Sequence, residues 1–285
     1  MKLWHLTFPA RKRFTLFPDE DRLRLAVREL ARIAGDETLL FCLVDDHAHV
    51  VVSCGLARAK VIKRALRRAW KSVAAVPLAD PDLRPVADRG HLFTLVRYHL
   101  RQLIHHGVQG TDPALWSGSC FQEMIGARVI DGLRLPLWTA LPRFRMRLAY
   151  EYVDLPQQRL DPLDDEQTRA AGASRIAAAA GAALALPVDY RGKSPVVVAA
   201  KRSAVQTAHQ AGIPTSEIAW ALGVSESTAR RLRQQPVDPR IARALRIRLA
   251  LENARAIHPL ASDAFRAGPQ PTRATSVDPF PPPLA

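Results

Sequence analysis

The chain has 285 residues, 48% of them hydrophobic, so it is long enough for two domains and apolar enough to bury cores, which excludes a wholly disordered protein. Its 41 Lys and Arg against 27 Asp and Glu give a formal net charge of +14, which favours nucleic acid as a partner, with a basic surface that only aids solubility as the alternative. Three cysteines without metal-ligand spacing, no signal-peptide core and no apolar run of membrane length predict a soluble, cytoplasmic protein with no membrane partner.

The first half of the chain alternates between strand and helix patterns. Its strand–helix–strand–strand–helix order predicts an α/β (α+β) domain over residues 1–153. We expect a ferredoxin-like antiparallel sheet with the helices on one face. The patterns predict strands at 3–8, 39–44 and 47–54, helices at 20–33, 57–75 and 90–106, and a proline-rich connection at 77–85.

The second half of the chain has a different composition. An acidic, proline-containing stretch at 154–168 reads as a linker, and an alanine-rich helix is expected from Gln167 to Leu186. Residues 169–257 are predicted to form an all-helical domain. The proline-rich segment 258–285 is predicted to be a disordered tail.

The hairpin of the first domain delivers a pair of histidines. His47 and His49 flank Ala48 at the start of the third predicted strand, directly after the Asp45-Asp46 turn. Because strand side chains alternate with a period of two, both imidazoles point to the same side of the sheet. The pair is therefore a candidate for two ligands of one divalent metal ion, with a chance His-x-His pair as the alternative.

Tyr98 and Gln102 lie four residues apart in the helix predicted at 90–106, so their side chains share one helix face. A helix packed across the sheet could place the Tyr98 phenol beside the metal and offer the Gln102 amide oxygen as a third ligand. Tyr98 is then the candidate nucleophile. The alternative is a half-buried core tyrosine with its hydroxyl at the surface.

Cationic residues recur at steps of three and four in the helix predicted at 57–75. A stripe of one sign favours contact with phosphates, and a solvated charged face is the alternative. The stripe consists of Lys60, Lys63, Arg64, Arg67, Arg68 and Lys71.

Residues from about 215 to 234 fit a helix-turn-helix. Ala219 is small enough for two helices to cross, Gly223 follows four positions later as the turn, and Ser225 can cap the second helix. A helical hairpin used only for packing is the alternative. The side chains offered to DNA include Ser227, Thr228, Arg230 and Arg231.

Together these residues resemble the tyrosine-dependent HUH nucleases over residues 1 to about 130. The match is best with the REP-associated tyrosine transposases, whose members carry a His-hydrophobe-His strand after a hairpin and a nucleophilic tyrosine on a downstream helix. His47 and His49 match the pair, Tyr98 the nucleophile and Gln102 the third metal ligand, while residues 115–119 resemble a Trp-Ser-Ser stretch of the family.

The resemblance implies a metal-dependent single-stranded DNA endonuclease and strand transferase that forms a 5′-phosphotyrosine and uses Mg²⁺ or Mn²⁺. It implies single-stranded or hairpin DNA at the first domain, and the helix-turn-helix would add duplex recognition. Relatives include homodimers and monomers.

The flanks of the motifs depart from the family. Asp45-Asp46 stands where Pro-Asn is usual, and the residues after Tyr98 lack the common Asn-Pro-Val-Arg-Ala-Gly. These departures leave a second hypothesis open, a catalytically inactive, transposase-derived DNA-binding regulator. An RNA-processing nuclease is a third.

Overall fold

The computed structural model describes residues 2–11, 14–106, 112–157 and 159–258. The protein is mixed α/β, as predicted: 55% helical, with eleven α-helices and a four-stranded antiparallel sheet within that described part. The strand order is β2-β3-β1-β4. The strands are β1 (Leu3–Pro9), β2 (Thr38–Leu43), β3 (His47–Ser53) and β4 (Asp82–Pro85).

The helices lie in two groups along the chain. The first six are α1 (Glu20–Ala34), α2 (Leu56–Lys71), α3 (Arg89–His106), α4 (Phe121–Met124), α5 (Leu137–Ala140) and α6 (Met146–Tyr152). The other five are α7 (Asp165–Ala183), α8 (Pro195–Gln210), α9 (Thr215–Ala221), α10 (Glu226–Arg233) and α11 (Pro239–Ile257). Among the described residues, no helix combines the length and the apolar character needed to cross a bilayer.

The predicted placement of the helices on one face of the sheet is wrong. On one face, the ring of Phe8 in β1 packs against Trp70 of α2 at 4.8 Å between centroids, and the Trp70 indole donates to the carbonyl of Ala26 in α1. The other face is covered by α3, because Tyr98 lies against His49, which stands opposite Thr7, the β1 neighbour of Phe8. The chain order does not determine which face a later helix covers.

The predicted proline-rich connection at 77–85 contains a strand that the sequence pattern did not indicate. β4 is four residues long, pairs with β1 from Thr7–Asp82 to Trp4–Pro85, and forms one edge of the sheet. Pro81 precedes this short strand and Pro85 is its last residue, and proline is tolerated in edge strands, where its missing N–H is not needed. The run therefore resembles a loop in sequence.

The opposite edge of the sheet is extended by the segment after α3. The Leu43 N–H donates to the carbonyl of Gly118 at 2.8 Å, and the Trp116 indole donates to the carbonyl of Leu43 at 2.7 Å. A Cβ atom on residue 118 would collide with the carbonyl oxygen of Leu43 and with the Trp116 indole nitrogen. The close contact between this segment and β2 therefore requires glycine at position 118. The Trp-Ser-Gly-Ser segment is thereby fixed to β2.

The C-terminal helices have their own core but also contact the sheet-containing part. Leu251 and Ala254 of α11 belong to the core around the sheet. The Arg24 guanidinium donates to the carbonyl of Leu186, and Arg248 donates to the Gln122 side chain, both at 2.8 Å. These contacts join α1 to the segment between α7 and α8, and α4 to α11.

The predicted linker at 154–168 is shorter in the structure, because α7 begins at Asp165 with Asp164 as its N-cap. Leu155 and Leu163 are buried, so this stretch follows the surface of the protein with its apolar side chains inward. The division into domains stays a prediction. Of the predicted disordered tail, residues 259–285 lie outside the described residues.

Candidate active site

Two neighbouring strands place polar side chains on the α3 side of the sheet. Thr7 of β1 stands directly opposite His49 of β3, and Pro9 stands opposite His47. Because residues two apart share a face, His5 joins Thr7, His47 and His49 on that side. The predicted orientation of the histidine pair follows from this register.

α3 brings Tyr98 and Gln102 onto the histidine pair. The Gln102 Nε2 atom lies 2.8 Å from Nε2 of His47 and 3.2 Å from Nε2 of His49. The Tyr98 hydroxyl lies 2.9 Å from Gln102 Nε2 and 3.4 Å from His49 Nε2. The structure therefore brings together all four residues that the sequence predicts for the metal and the nucleophile.

The orientation of the His47 ring is set by a hydrogen bond to Asp46, the preceding residue. Its Nδ1 atom lies 2.5 Å from Oδ1 of Asp46, so the ring donates there and turns Nε2 towards Gln102. The hydrogen bond from His47 lowers the pKa of Asp46 below its ordinary value. Asp46 therefore remains ionised and keeps the lone pair of His47 Nε2 directed into the site.

His49 is more deeply enclosed than His47. Its Nδ1 atom lies 3.1 Å from His5 Nε2 and 3.3 Å from the Thr7 hydroxyl. Burial lowers the pKa of His49 well below 6.5, and burial likewise lowers the pKa of His5 to about 3. Both imidazoles are therefore neutral near pH 7, which is the form that binds a metal ion.

Sequence reasoning missed three further imidazoles that surround the pair. His5 and His99 each lie within 5.5 Å of the His49 ring between centroids, and His106 lies 4.9 Å from the ring of His47. A signal was available for His5, since the His5-x-Thr7 pattern on β1 has the same period of two as the pair on β3. His99 adjoins Tyr98 in sequence but was not singled out.

The donor set fits a divalent metal ion. The Gln102 Oε1 atom is buried and has no hydrogen-bond partner among the described residues, while its Nε2 contacts both imidazoles. A half-turn of the amide about its last side-chain bond brings the carbonyl oxygen to face the two ring nitrogens. Contacts of 2.8 and 3.2 Å are close to the spacing of about 3.0 Å between adjacent ligands of an octahedral ion with bonds near 2.1 Å.

A second group of side chains that could hold a metal lies beside the pair. Ligand atoms of Asp45, Asp46 and His106 all come within 4.8 Å of one another. Asp46 already accepts from His47, and Asp45 is partly exposed. This cluster is a weak candidate for a metal site.

The basic stripe lies away from this site. α2 packs on the face of the sheet opposite α3, and its buried side chains are Ala59, Ile62, Leu66 and Trp70. Two of the stripe's cations are already engaged, since Lys63 donates to the carbonyl of Pro81 and Arg67 pairs with Asp80 at 2.8 Å. Lys60, Lys63, Arg64 and Arg67 line a cleft of about 530 Å³ beside β4.

α9 and α10 bring the predicted helix-turn-helix residues together as two short helices. Gly223 adopts a φ of +60° in the connection, and Ser225 caps α10 by accepting from the Thr228 N–H. Arg230 and Arg231 are exposed, with Arg230 paired to Glu226 at 2.9 Å. The helix-turn-helix assignment stays a prediction.

The buried His99 imidazole predicts a dependence of stability on pH. Burial lowers its pKa from 6.5 to about 4, so between these values the unfolded chain binds a proton that the folded chain excludes. The contribution is complete above pH 6.5, is lost as the pH falls towards 4, and is worth roughly 3 kcal/mol. Denaturant titrations of the metal-free protein across this range measure it.

The control for this pH effect is His99→Leu. This variant should flatten the dependence of the free energy of unfolding on pH, because the excluded proton no longer exists. The histidines at positions 5 and 49 contribute in the same direction, so a residual slope is expected. A slope equal to that of the unaltered protein would contradict the assignment to His99.

Comparison of the chain with protein-family models, with curated proteins and with solved structures finds no match.

Proposed function

We propose that this protein is a metal-dependent tyrosine nuclease and strand transferase acting on single-stranded DNA. The observation that carries the proposal is the convergence of the Tyr98 hydroxyl, the Nε2 atoms of His47 and His49 and the Gln102 amide within 3.4 Å contacts. Metal-assisted phosphoryl transfer needs a nucleophile close to the metal donors, and here α3 and β3 supply these groups together.

The supporting fold is proposed to be ferredoxin-like. The succession β1-α1-β2-β3-α2-β4 with the order β2-β3-β1-β4 supports this assignment. In this arrangement β1 and β3 are the central strands, and they supply His5, Thr7, His47 and His49. The site thus lies on the most firmly paired part of the sheet.

The chemistry assigned to the chain is a transesterification. The Tyr98 oxygen forms a bond to phosphorus, the bond from phosphorus to the 3′ oxygen breaks, and the proton lost by the phenol is balanced by one taken up by the 3′ oxygen. A bound divalent ion would polarise the scissile phosphate and stabilise its developing charge. His47, His49 and Gln102 would hold it, since burial keeps His49 neutral and Asp46 orients the ring of His47.

The experiment that tests the proposal is incubation of the protein with a labelled hairpin oligonucleotide carrying a single-stranded flank, with Mn²⁺ or with EDTA. A covalent protein–DNA adduct on the 5′-phosphate side, formed only with Mn²⁺, is the expected result. Binding without cleavage, unchanged in His47→Ala and His49→Ala, would instead indicate the DNA-binding regulator. Reaction with a ribo-oligonucleotide alone would indicate an RNA nuclease.

The donor set also predicts metal preference. Two imidazole nitrogens and one amide oxygen suit Mn²⁺ better than Mg²⁺, so we expect Mn²⁺ to bind at least about tenfold more tightly. Gln102→Leu removes the third donor at similar volume and should weaken Mn²⁺ binding by about tenfold or more. Calorimetric titration measures both, and the control is Gln210→Leu on α8. Equal affinity in the Gln102 and Gln210 variants would contradict the ligand assignment.

We further propose that α9 and α10 form a helix-turn-helix that binds duplex DNA. The cap at Ser225, the positive φ of Gly223 and the exposed Arg231 support this.

Arg231→Ala should weaken binding to duplex DNA by about tenfold and lower its salt dependence, because one phosphate contact is lost. Arg175→Ala on α7 is the control. Equal losses in both variants, measured by fluorescence anisotropy, would argue against a specific surface on α10.

A further inference from the structure

Which nitrogen of the His49 imidazole carries the proton decides whether Nε2 of this ring can bind a metal ion. Its Nε2 atom faces Gln102 and Tyr98, and its Nδ1 atom faces β1. A neutral imidazole carries one proton, so Nε2 offers a lone pair only when the proton is on Nδ1. A group on β1 must then accept the Nδ1 hydrogen bond.

Two groups on β1 lie within reach of that proton. His5 Nε2 is 3.1 Å from His49 Nδ1, and the Thr7 hydroxyl oxygen is 3.3 Å away. The shorter contact is to the ring nitrogen. The hydroxyl of Thr7 can donate as readily as it accepts, so its presence alone leaves the tautomer of His49 undetermined.

We propose that His5 is a positioning residue that accepts the Nδ1 proton of His49 and thereby fixes the tautomer in which His49 Nε2 faces the metal site. The inference deepens the proposed metal-dependent function and rests on it for its consequence. The placement of the two rings itself is independent of that function, because it follows from the pairing of β1 with β3.

The two histidines of the pair are thus supported in different ways. His47 donates its Nδ1 proton to the carboxylate of Asp46, which lies in the turn before β3. His49 instead donates to a neighbouring imidazole on another strand, and that imidazole lies against His99, with 5.5 Å between ring centroids. Hydrogen bonds behind metal-binding histidines set the ring orientation and the basicity of the ligand.

This assignment predicts that the position of the His49 proton depends on whether residue 5 can accept a hydrogen bond. His5→Phe keeps the ring volume but removes the acceptor, so His49 can move its proton to Nε2. His5→Gln places an amide oxygen where Nε2 of the imidazole stood and should restore the acceptor. Thr7→Val removes the competing hydroxyl at similar size and should leave the His49 proton on Nδ1.

The experiment is ¹⁵N NMR of the full chain labelled on histidine, recorded without metal, because ring nitrogen shifts distinguish the two tautomers. We expect His49 to carry its proton on Nδ1 in the unaltered protein, in His5→Gln and in Thr7→Val, and to lose that preference in His5→Phe. Titration with Mn²⁺ should then show affinity lowered by about 10–100-fold in His5→Phe alone.

Three results would overturn the inference: a proton on Nε2 of His49 in the unaltered protein, an unchanged tautomer in His5→Phe, or a change in Thr7→Val instead. The first needs no variant, so poor folding of a substituted chain leaves the test decisive. The metal-free spectrum is read without any cleavage. An Nδ1 tautomer controlled by residue 5 together with an absence of DNA cleavage would therefore reject the proposed function and retain the role of His5.

Discussion

Tyr98→Phe is expected to abolish covalent attachment of the protein to single-stranded DNA while leaving DNA binding intact. The Tyr98 oxygen is the proposed nucleophile and lies 2.9 Å from Gln102 Nε2 and 3.4 Å from His49 Nε2. Phenylalanine keeps the ring against His49 and removes only that oxygen. Loss of a nucleophile lowers turnover by about 10³-fold or more, so the adduct should disappear from denaturing gels.

The control for this loss is Tyr152→Phe. Tyr152 lies on α6, outside the cluster of imidazoles, and burial raises the pKa of its phenol. Adduct formation by Tyr152→Phe should match that of the unaltered protein. If Tyr98→Phe still forms an adduct at a comparable rate, the nucleophile is another residue and the proposed mechanism is wrong.

Arg128→Met should lower the free energy of unfolding by about 3–5 kcal/mol. The Arg128 and Glu123 side chains form an ion pair at 0% and 5% exposure, and the guanidinium also donates to the carbonyls of Ser117 and Ser119 at 2.6 and 2.7 Å. Without Arg128, a buried carboxylate and two carbonyls lose their partner. Urea denaturation followed by circular dichroism measures the change.

The matched control is Arg147→Met. Arg147 pairs with Glu151 on α6 with both side chains about half exposed, at 51% and 52%. Exposed pairs contribute about 0–1 kcal/mol, so this variant should differ little from the unaltered protein. Similar losses in the two variants would mean that the buried pair is not the source of the stability at residue 128.

The first three strands and the orientation of the histidine pair were accessible from sequence because both depend on local periodicity. Val50 to Val52 continue the run that begins at His47, and the period of two fixes which side chains share a face. The spacing of four between Tyr98 and Gln102 likewise fixes their common helix face. These relations hold within single elements, so no tertiary information is needed.

The relations between elements were harder to predict. The sheet face that α3 covers depends on the course of the chain after β4, and β4 itself was hidden in a proline-containing run. The contact of His5 with His49 joins residues 44 positions apart through the register of β1 with β3. The pattern within each strand leaves that register undetermined.

Asp46 stands where the family that the sequence resembles usually carries asparagine, and the structure gives this difference a physical basis. An asparagine at this position would offer the Nδ1 atom of His47 a neutral amide in place of a carboxylate. Asp46 gives His47 a charged acceptor, which strengthens the hydrogen bond and makes the ring a better electron donor. This departure is therefore compatible with an active site, and the adduct experiment decides whether the site is active.

The arginines that fasten the C-terminal helices to the sheet-containing part have a consequence for target selection. Arg24, Arg248 and Arg255 reach across to backbone carbonyls or a side-chain amide on the other side. Under the proposed function, these contacts hold the recognition helix α10 and the nucleophile Tyr98 at a fixed distance from each other. Cleavage should occur at one position relative to the recognised duplex, so moving that duplex by a few base pairs along the strand should move the cut by the same distance.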